Sequence, residues 1–424
     1  MARYLLAPTT SSSAGLLPKD AAKNSPTSRP LRLRALGSRT SKARPIVAVA
    51  SEQAAPAARY PKVAAPTTGP IPAAELLGVI EAAAKAGADV IMEAVNKPRN
   101  IQYKGVADLV TDTDKLSELV ILEVVTKNFK DHLILGEEGG LIGDSQSEYL
   151  WCIDPLDGTT NFAHGYPSFS VSIGVLFCGK PAASTVVEFC GGPMCWSTRT
   201  ISASAGSPIN YWLCLFMLED SRDFIFMSFL SLEQEEELIV MGKRFMSVRQ
   251  TSLFSLLEVD MHFPIMFICE CKPAAATICQ GLRGHVEQSL LVTGFGYEHD
   301  DAWTTNINLF KEFTDISRAS GVRRLGSAAA DMSHVGLGIT EAYWEYRLKP
   351  WDMAAGVLIV EEAGGVVTCM DGGEFTVFDR SVLVSNGLVH GQLLDRIGPP
   401  TEDLKKKGID FSLWFKPDKY PTDF

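Results

Sequence analysis

WCIDPLDGTTNF, residues 151–162, begins as an apolar strand and ends in a tight turn holding two carboxylates, Asp154 and Asp157, three residues apart. Pro155 stiffens the turn, Gly158 gives it freedom, and Thr159 and Thr160 open the segment that follows. Two like charges at the mouth of a core strand repel each other. That repulsion opposes folding unless a cation sits between them. Taken alone, Asp-Pro followed by Asp-Gly also reads as an ordinary turn, so the decision passes to the other acids in the chain.

Three more segments place acids where strands end or helices begin: DLVTDTD (108–114), GEE (136–138) and WD (351–352). Magnesium takes near-octahedral oxygen ligation, and carboxylates with a substrate phosphate can share its shell. Each segment has a plainer reading. Thr111 with Asp114 forms a capping box, Glu137 ends a strand, and Asp352 caps a helix. GSAAADM (326–332) reads as a helix start, although free N–H groups there can also hold an anion. His299-Asp300-Asp301 reads as loop acids before a helix rather than a metal pair.

Around these segments the pattern alternates. Helical spacing is expected from Ala73 through AAELLGVIEAAAKAGADVIMEAV, over 115–129, from about Trp303 to Ser317, and through WDMAAGVLIVEEAGG. Strands are expected in HLILGEE, EYLWCID, FSVSIGVLFCGKPAASTVVEF, EAYWEYR, VVTCMDG and SVLVSNG. This is an α/β or α+β layered architecture in two subdomains, 73–206 and 286–415. Residues 51–72, rich in Pro and Ala, read as a linker. Residues 207–285 show no steady period of two or 3.6 and read as an anomalous insertion, a retained intron in character, with no pattern matched to a sheet.

The 424 residues are 46% hydrophobic and 21% charged, a globular balance, and no apolar run approaches the roughly 18 residues of a membrane span. Residues 1–50 carry nine Lys/Arg, eleven Ser/Thr and a single acid, Asp20, the bias of a plastid transit peptide with a cleavage site near 46–50. Without them 30 Lys/Arg face 49 Asp/Glu, a formal charge of −19, so neither nucleic acid nor membrane is expected as a partner. Nine cysteines without framework spacing indicate free thiols in a reducing compartment.

In order, DLVTDTD, GEE, DPLDGTTNFAHGYPSFSVSIG, LGSAAADM and KPWDMAAGVLIVEEAGG resemble the inositol monophosphatase family, from about residue 73 to 206 and again from 286 to 392. With the N-terminal extension, the similarity is to plastid-targeted members in plants. The resemblance implies a sandwich of alternating helix and sheet layers and a Mg²⁺-dependent, lithium-sensitive phosphatase using two or three ions. It assigns Glu137, Asp154 and the Leu156 carbonyl to one magnesium, and Asp154, Asp157 and Asp352 to a second. Asp114 and Thr159 become the pair that activates water. Gly158 and Thr160 meet the phosphate, and Gly326, Ser327, Ala328 and Glu345 the alcohol. The implied substrate is a small-molecule phosphate monoester, myo-inositol 1-phosphate, with histidinol phosphate or a sugar phosphate as alternatives. The implied setting is the chloroplast stroma, and the implied assembly a homodimer. An inactive isoform, disrupted by residues 207–285, is the remaining alternative.

Overall fold

The computed structural model describes residues 60–104, 109–193, 195–207, 209–215, 237–241, 245–249, 266–271, 284–317 and 321–422. Seven α-helices are present among them: α1 Ala73–Ala94, α2 Asp112–Asn128, α3 Thr159–His164, α4 Asp301–Ile316, α5 Ala328–Gly336, α6 Pro350–Glu362 and α7 His390–Lys406. In α1 the residues Leu76, Ile80, Ala83, Ala84, Gly87, Ala88 and Ile91 are buried, the three-and-four spacing of one apolar stripe. α2 starts three residues earlier than its apolar pattern indicates, because Thr111 caps it by accepting from Thr113 N–H at 3.2 Å.

A ten-stranded sheet carries, in spatial order, Phe245–Arg249, Glu237–Met241, Met266–Cys271, Asn210–Leu215, Cys195–Ser204, Lys180–Gly192, Phe169–Phe177, Tyr149–Asp157, Leu133–Gly136 and Gly140–Ile142. A five-stranded sheet runs Gly321–Arg323, Leu290–Thr293, Ala342–Tyr346, Ser381–Ser385, Val366–Thr368. α1 and α2 pack on one face of the large sheet. α5 and α6 lie between the two sheets, and α4 and α7 pair beyond the small one. The layers therefore alternate helix and sheet, as the resemblance implies. α6 is apolar all round because both of its faces meet a sheet. Its approach to the large sheet depends on Gly174, where a Cβ would stand 2.6 Å from that of Ala354.

Two expectations are corrected, and one helix is added. Residues 207–285 do supply sheet: Asn210–Leu215 pairs antiparallel with Cys195–Ser204, Met266–Cys271 pairs with it in turn, and Glu237–Met241 joins Met266–Cys271 and Phe245–Arg249. NYWLCL, ELIVM, FMSVR and MFICEC are short runs rich in β-formers, too widely spaced for one period to show. The linker assigned to 51–72 is, from Tyr60 on, packed chain. Val63 and Ala64 are buried and donate their N–H groups to the Glu361 carboxylate at 2.8 and 2.7 Å. α7 lies where no element is expected from the sequence, and it carries Pro399 and Pro400 inside it, residues that ordinarily break a helix. The expected leader, 1–50, lies outside the described residues. Among the described residues no helix is long and apolar enough to cross a membrane.

Candidate active site

The turn after Tyr149–Asp157 is built by a break in pairing. Its ladder with Phe169–Phe177 shifts register between Asp154 and Asp157, at Pro155, and the strand bulges there. Asp154 Oδ1 accepts from Leu156 N–H at 3.0 Å and folds the turn onto itself. Gly158 has φ +89°, and a Cβ on it would meet the carbonyls of Ser168 and Gly326 at 3.0 Å, so the turn closes only on glycine. Asn161 then fastens α3 to the loop before α5, donating from Nδ2 to Ser168 O at 2.6 Å and Leu325 O at 2.7 Å.

One cavity gathers Glu137, Asp154, Leu156, Gly158, Thr159, Gly326, Ser327, Ala328, Glu345 and Asp352. Ten of the thirteen residues that the resemblance names thus line a single space. Asp114 stands just behind it, buried, and its Oδ1 accepts from Thr159 Oγ1 at 2.9 Å while Oδ2 accepts from Thr111 N–H at 2.9 Å. The capping box and the expected Thr159–Asp114 pair are therefore both present on one carboxylate.

Two residues are placed differently. Thr160 is exposed and is not among the residues that line the cavity. Asp157 turns to the N-terminus of α5, where its carboxylate accepts from Ser327 Oγ at 2.7 Å, Ala329 N–H at 2.8 Å and Ala328 N–H at 3.3 Å. Exposed N–H groups and the helix dipole attract that anion. Ser327 and Ala328, expected to meet the alcohol, here hold Asp157.

The cavity is crowded with negative charge. Burial, with Glu137, Asp157 and Asp352 behind it, holds Asp154 well above the usual carboxylate range. Burial pushes Glu137 up to about 7 despite Lys104, and Asp352 up to about 6 despite Lys349. Asp157 rises to about 6, again through burial, against its three donors. Glu345, buried on Ala342–Tyr346 and accepting from Tyr343 Oη, is pushed up to about 8 by burial, so near neutrality it holds a proton and can donate as well as accept.

Sequence reasoning missed several members. Lys104, which the motifs leave unassigned, lies with its Nζ 3.2 Å from Glu137 and also pairs with Glu138. Gly294 must lack a side chain, since a Cβ would fall 1.8 Å from Glu345 Oε2. Asp331, one turn into α5, lines the cavity while buried, and its Oδ1 has no hydrogen-bond partner among the described residues. Its place in LGSAAADM was the only available signal. Tyr297, Arg324, Arg347 and Trp414, from loops that carry no motif, also line the cavity, as does Lys349 at the head of KPWDM. Asp300 caps α4 and pairs with Arg347, in keeping with the loop-acid reading of His299-Asp300-Asp301.

Among the described residues no three His, Cys, Asp or Glu side chains enclose a ready-made metal cage. The donor chemistry nonetheless suits a hard divalent cation: Glu137, Asp154 and Asp352 face one cavity beside the Leu156 carbonyl, all oxygen ligands, with mutual repulsion that a cation would relieve.

This layered fold and its carboxylate-lined cavity are those of a phosphatase, and the chain belongs to the inositol monophosphatase family, whose sequence pattern matches residues 73–250 and 269–405. The family generally uses divalent metal ions. The match reaches into 207–285 from both sides, beyond the limits drawn from the motifs alone. The chain is 60% identical over 371 residues to the chloroplastic phosphatase IMPL1 of Arabidopsis thaliana, covering 86% of this chain and 81% of that one. It is 33% identical over 314 residues to the inositol-1-monophosphatase of Synechocystis, covering 74% and 85%. The solved inositol monophosphatase of Anabaena superposes with a TM-score of 0.52 at 29% identity, covering 78% of this chain and 98% of that one.

Proposed function

We propose that the chain hydrolyses myo-inositol 1-phosphate with Mg²⁺ in the chloroplast stroma. The observation that carries the proposal is the Thr159–Asp114 hydrogen bond of 2.9 Å at the edge of a cavity that also holds Glu137, Asp154 and Asp352. The plastid setting rests on the basic, Ser/Thr-rich residues 1–50 and on the chloroplastic relative. Glu137, Asp154 and the Leu156 carbonyl would hold one ion, and Asp154, Asp352 and a re-aimed Asp157 a second. Bound there, Mg²⁺ supplies Lewis-acid charge at phosphate oxygens and lowers the pKa of a water.

The chain's own residues account for the proton. Thr159 has one hydroxyl hydrogen, and giving it to Asp114 Oδ1 leaves the Thr159 oxygen as an acceptor facing the cavity. A water donating to that oxygen is oriented, and its proton passes to Thr159 Oγ1 as the threonine proton moves to Asp114. Burial makes Asp114 a stronger base than an exposed aspartate, against hydrogen bonds from Thr111 and Thr159. At the far end Glu345 offers one donor and one acceptor to neighbouring hydroxyls, the requirement of a neutral polyol.

The test is a side-by-side assay of myo-inositol 1-phosphate, histidinol phosphate and fructose 1,6-bisphosphate with Mg²⁺, with and without lithium. The inositol ester should give the highest kcat/KM, and lithium should inhibit. A higher value for histidinol phosphate would overturn the substrate assignment while leaving the reaction class.

A further inference from the structure

The family match ends at residue 405, yet the chain beyond it is built into the molecule. Phe411 is buried and stacks on Tyr346, with ring centroids 5.1 Å apart. Arg380 Nε donates to Ser412 O at 3.0 Å, and Trp414 N–H donates to Phe378 O at 3.0 Å. Phe415 meets Trp351 edge-on at 5.0 Å. Tyr420 ends the run, its buried hydroxyl accepting from Gly179 N–H at 3.1 Å and lying 3.2 Å from Glu148 O. Residues 409–420 therefore form a strap fixed at both ends.

Between those anchors Trp414 lines the cavity. Its indole N–H donates to Leu348 O at 3.0 Å, and the Arg380 guanidinium lies 4.6 Å from the ring centroid, so packing sets the ring's orientation. The same cavity holds Glu345 and Tyr297, and the strap is anchored next to Glu345 in the chain, through Phe411 on Tyr346 and Trp414 on Leu348 O. A fixed aromatic surface offers large contact area at little entropic cost. What suits it is an alcohol with an apolar face and a hydroxyl rim, and a ring polyol presents both: C–H bonds on the face, hydroxyls at the edge. An open-chain alcohol presents no such face.

Resting on the phosphatase reading above, we propose that Trp414, held by the C-terminal strap, is a specificity-determining residue that selects phosphate esters of cyclic polyols over acyclic ones.

The test compares the full chain with its Trp414→Ala and Trp414→Phe variants on myo-inositol 1-phosphate and glycerol 2-phosphate. Trp414→Ala should raise KM for the inositol ester roughly tenfold, the loss expected for one aromatic contact. It should leave kcat for that ester, and KM for the glycerol ester, within about twofold. Trp414→Phe should restore most of the KM. Equal changes for both esters, or a fall in kcat alone, would mean that the strap merely supports Trp351 and Asp352, and would overturn the proposal. Calorimetric titration of the same esters reads binding directly, so a chain without turnover would sink the phosphatase reading and still decide this one. The expected binding loss is again roughly tenfold, for the inositol ester alone.

Discussion

Asp154 is 2% exposed and lies in the fields of Glu137, Asp157 and Asp352, so its charge is hard to sustain without a cation. It is also the residue proposed to touch both ions. Asp154→Asn should therefore abolish more turnover than any other single change, and its midpoint of thermal unfolding in chelator should equal or exceed the parent's, because a buried repulsion is gone. Thr159→Ala should lower kcat by about 10² to 10⁴ with little change in KM, and Thr159→Ser should recover much of it. These residues were legible because their chemistry is concentrated in short motifs: DPLDGTT names Asp154, Gly158 and Thr159 together. Asp331, Arg324 and Trp414 were not, since a buried aspartate, a loop arginine and a tail tryptophan acquire meaning only when the fold brings them to one cavity.

At the scale of elements, the placement of Asp157 shows how a helix start competes for an anion. The GSAAADM segment was read both as an ordinary start and as an anion site, and the anion it holds is the chain's own carboxylate. The same elements give a pH prediction. Glu137, held near 7, and Asp157 and Asp352, held near 6, keep protons in the folded chain that an unfolded chain loses near pH 4. The folded state then binds more protons than the unfolded one between about pH 4 and 7, so stability falls as pH rises through that window. Melting curves in chelator should show a lower Tm at pH 8 than at pH 5.5, and Mg²⁺ should raise Tm more at pH 8. A chelated protein more stable at pH 8 would contradict the assignment. Helix and strand types were mostly legible from period. α7 was not, because its two prolines outweighed the apolar positions Leu393, Ile397 and Leu404 that pack it onto α4.

At the scale of the molecule, the layers are held together by contacts that no local pattern announces. Glu361 on α6 binds the backbone of Val63 and Ala64, tying the entry of the chain to the central helix layer. Glu361→Ala should lower Tm, since it leaves two buried N–H groups unpaired, at a cost of about 1–3 kcal/mol each. The strands within 207–285 close the edge at Cys195–Ser204, while every proposed site residue lies elsewhere. Joining Leu215 to Met266 by a short Gly-rich turn keeps that edge paired and should preserve turnover to within about twofold. The class of fold was legible from alternating strands and helices, but its continuation through 207–285 was not, because the strands there are short and far apart in sequence.

The most direct measurement is phosphate release from myo-inositol 1-phosphate by the chain lacking residues 1–50, run with Mg²⁺, with chelator, and with Asp154→Asn. A metal site centred on Asp154 predicts turnover that needs Mg²⁺, disappears in chelator, returns on adding Mg²⁺ back, and is absent from the variant. Turnover that persists in chelator or survives Asp154→Asn would contradict it.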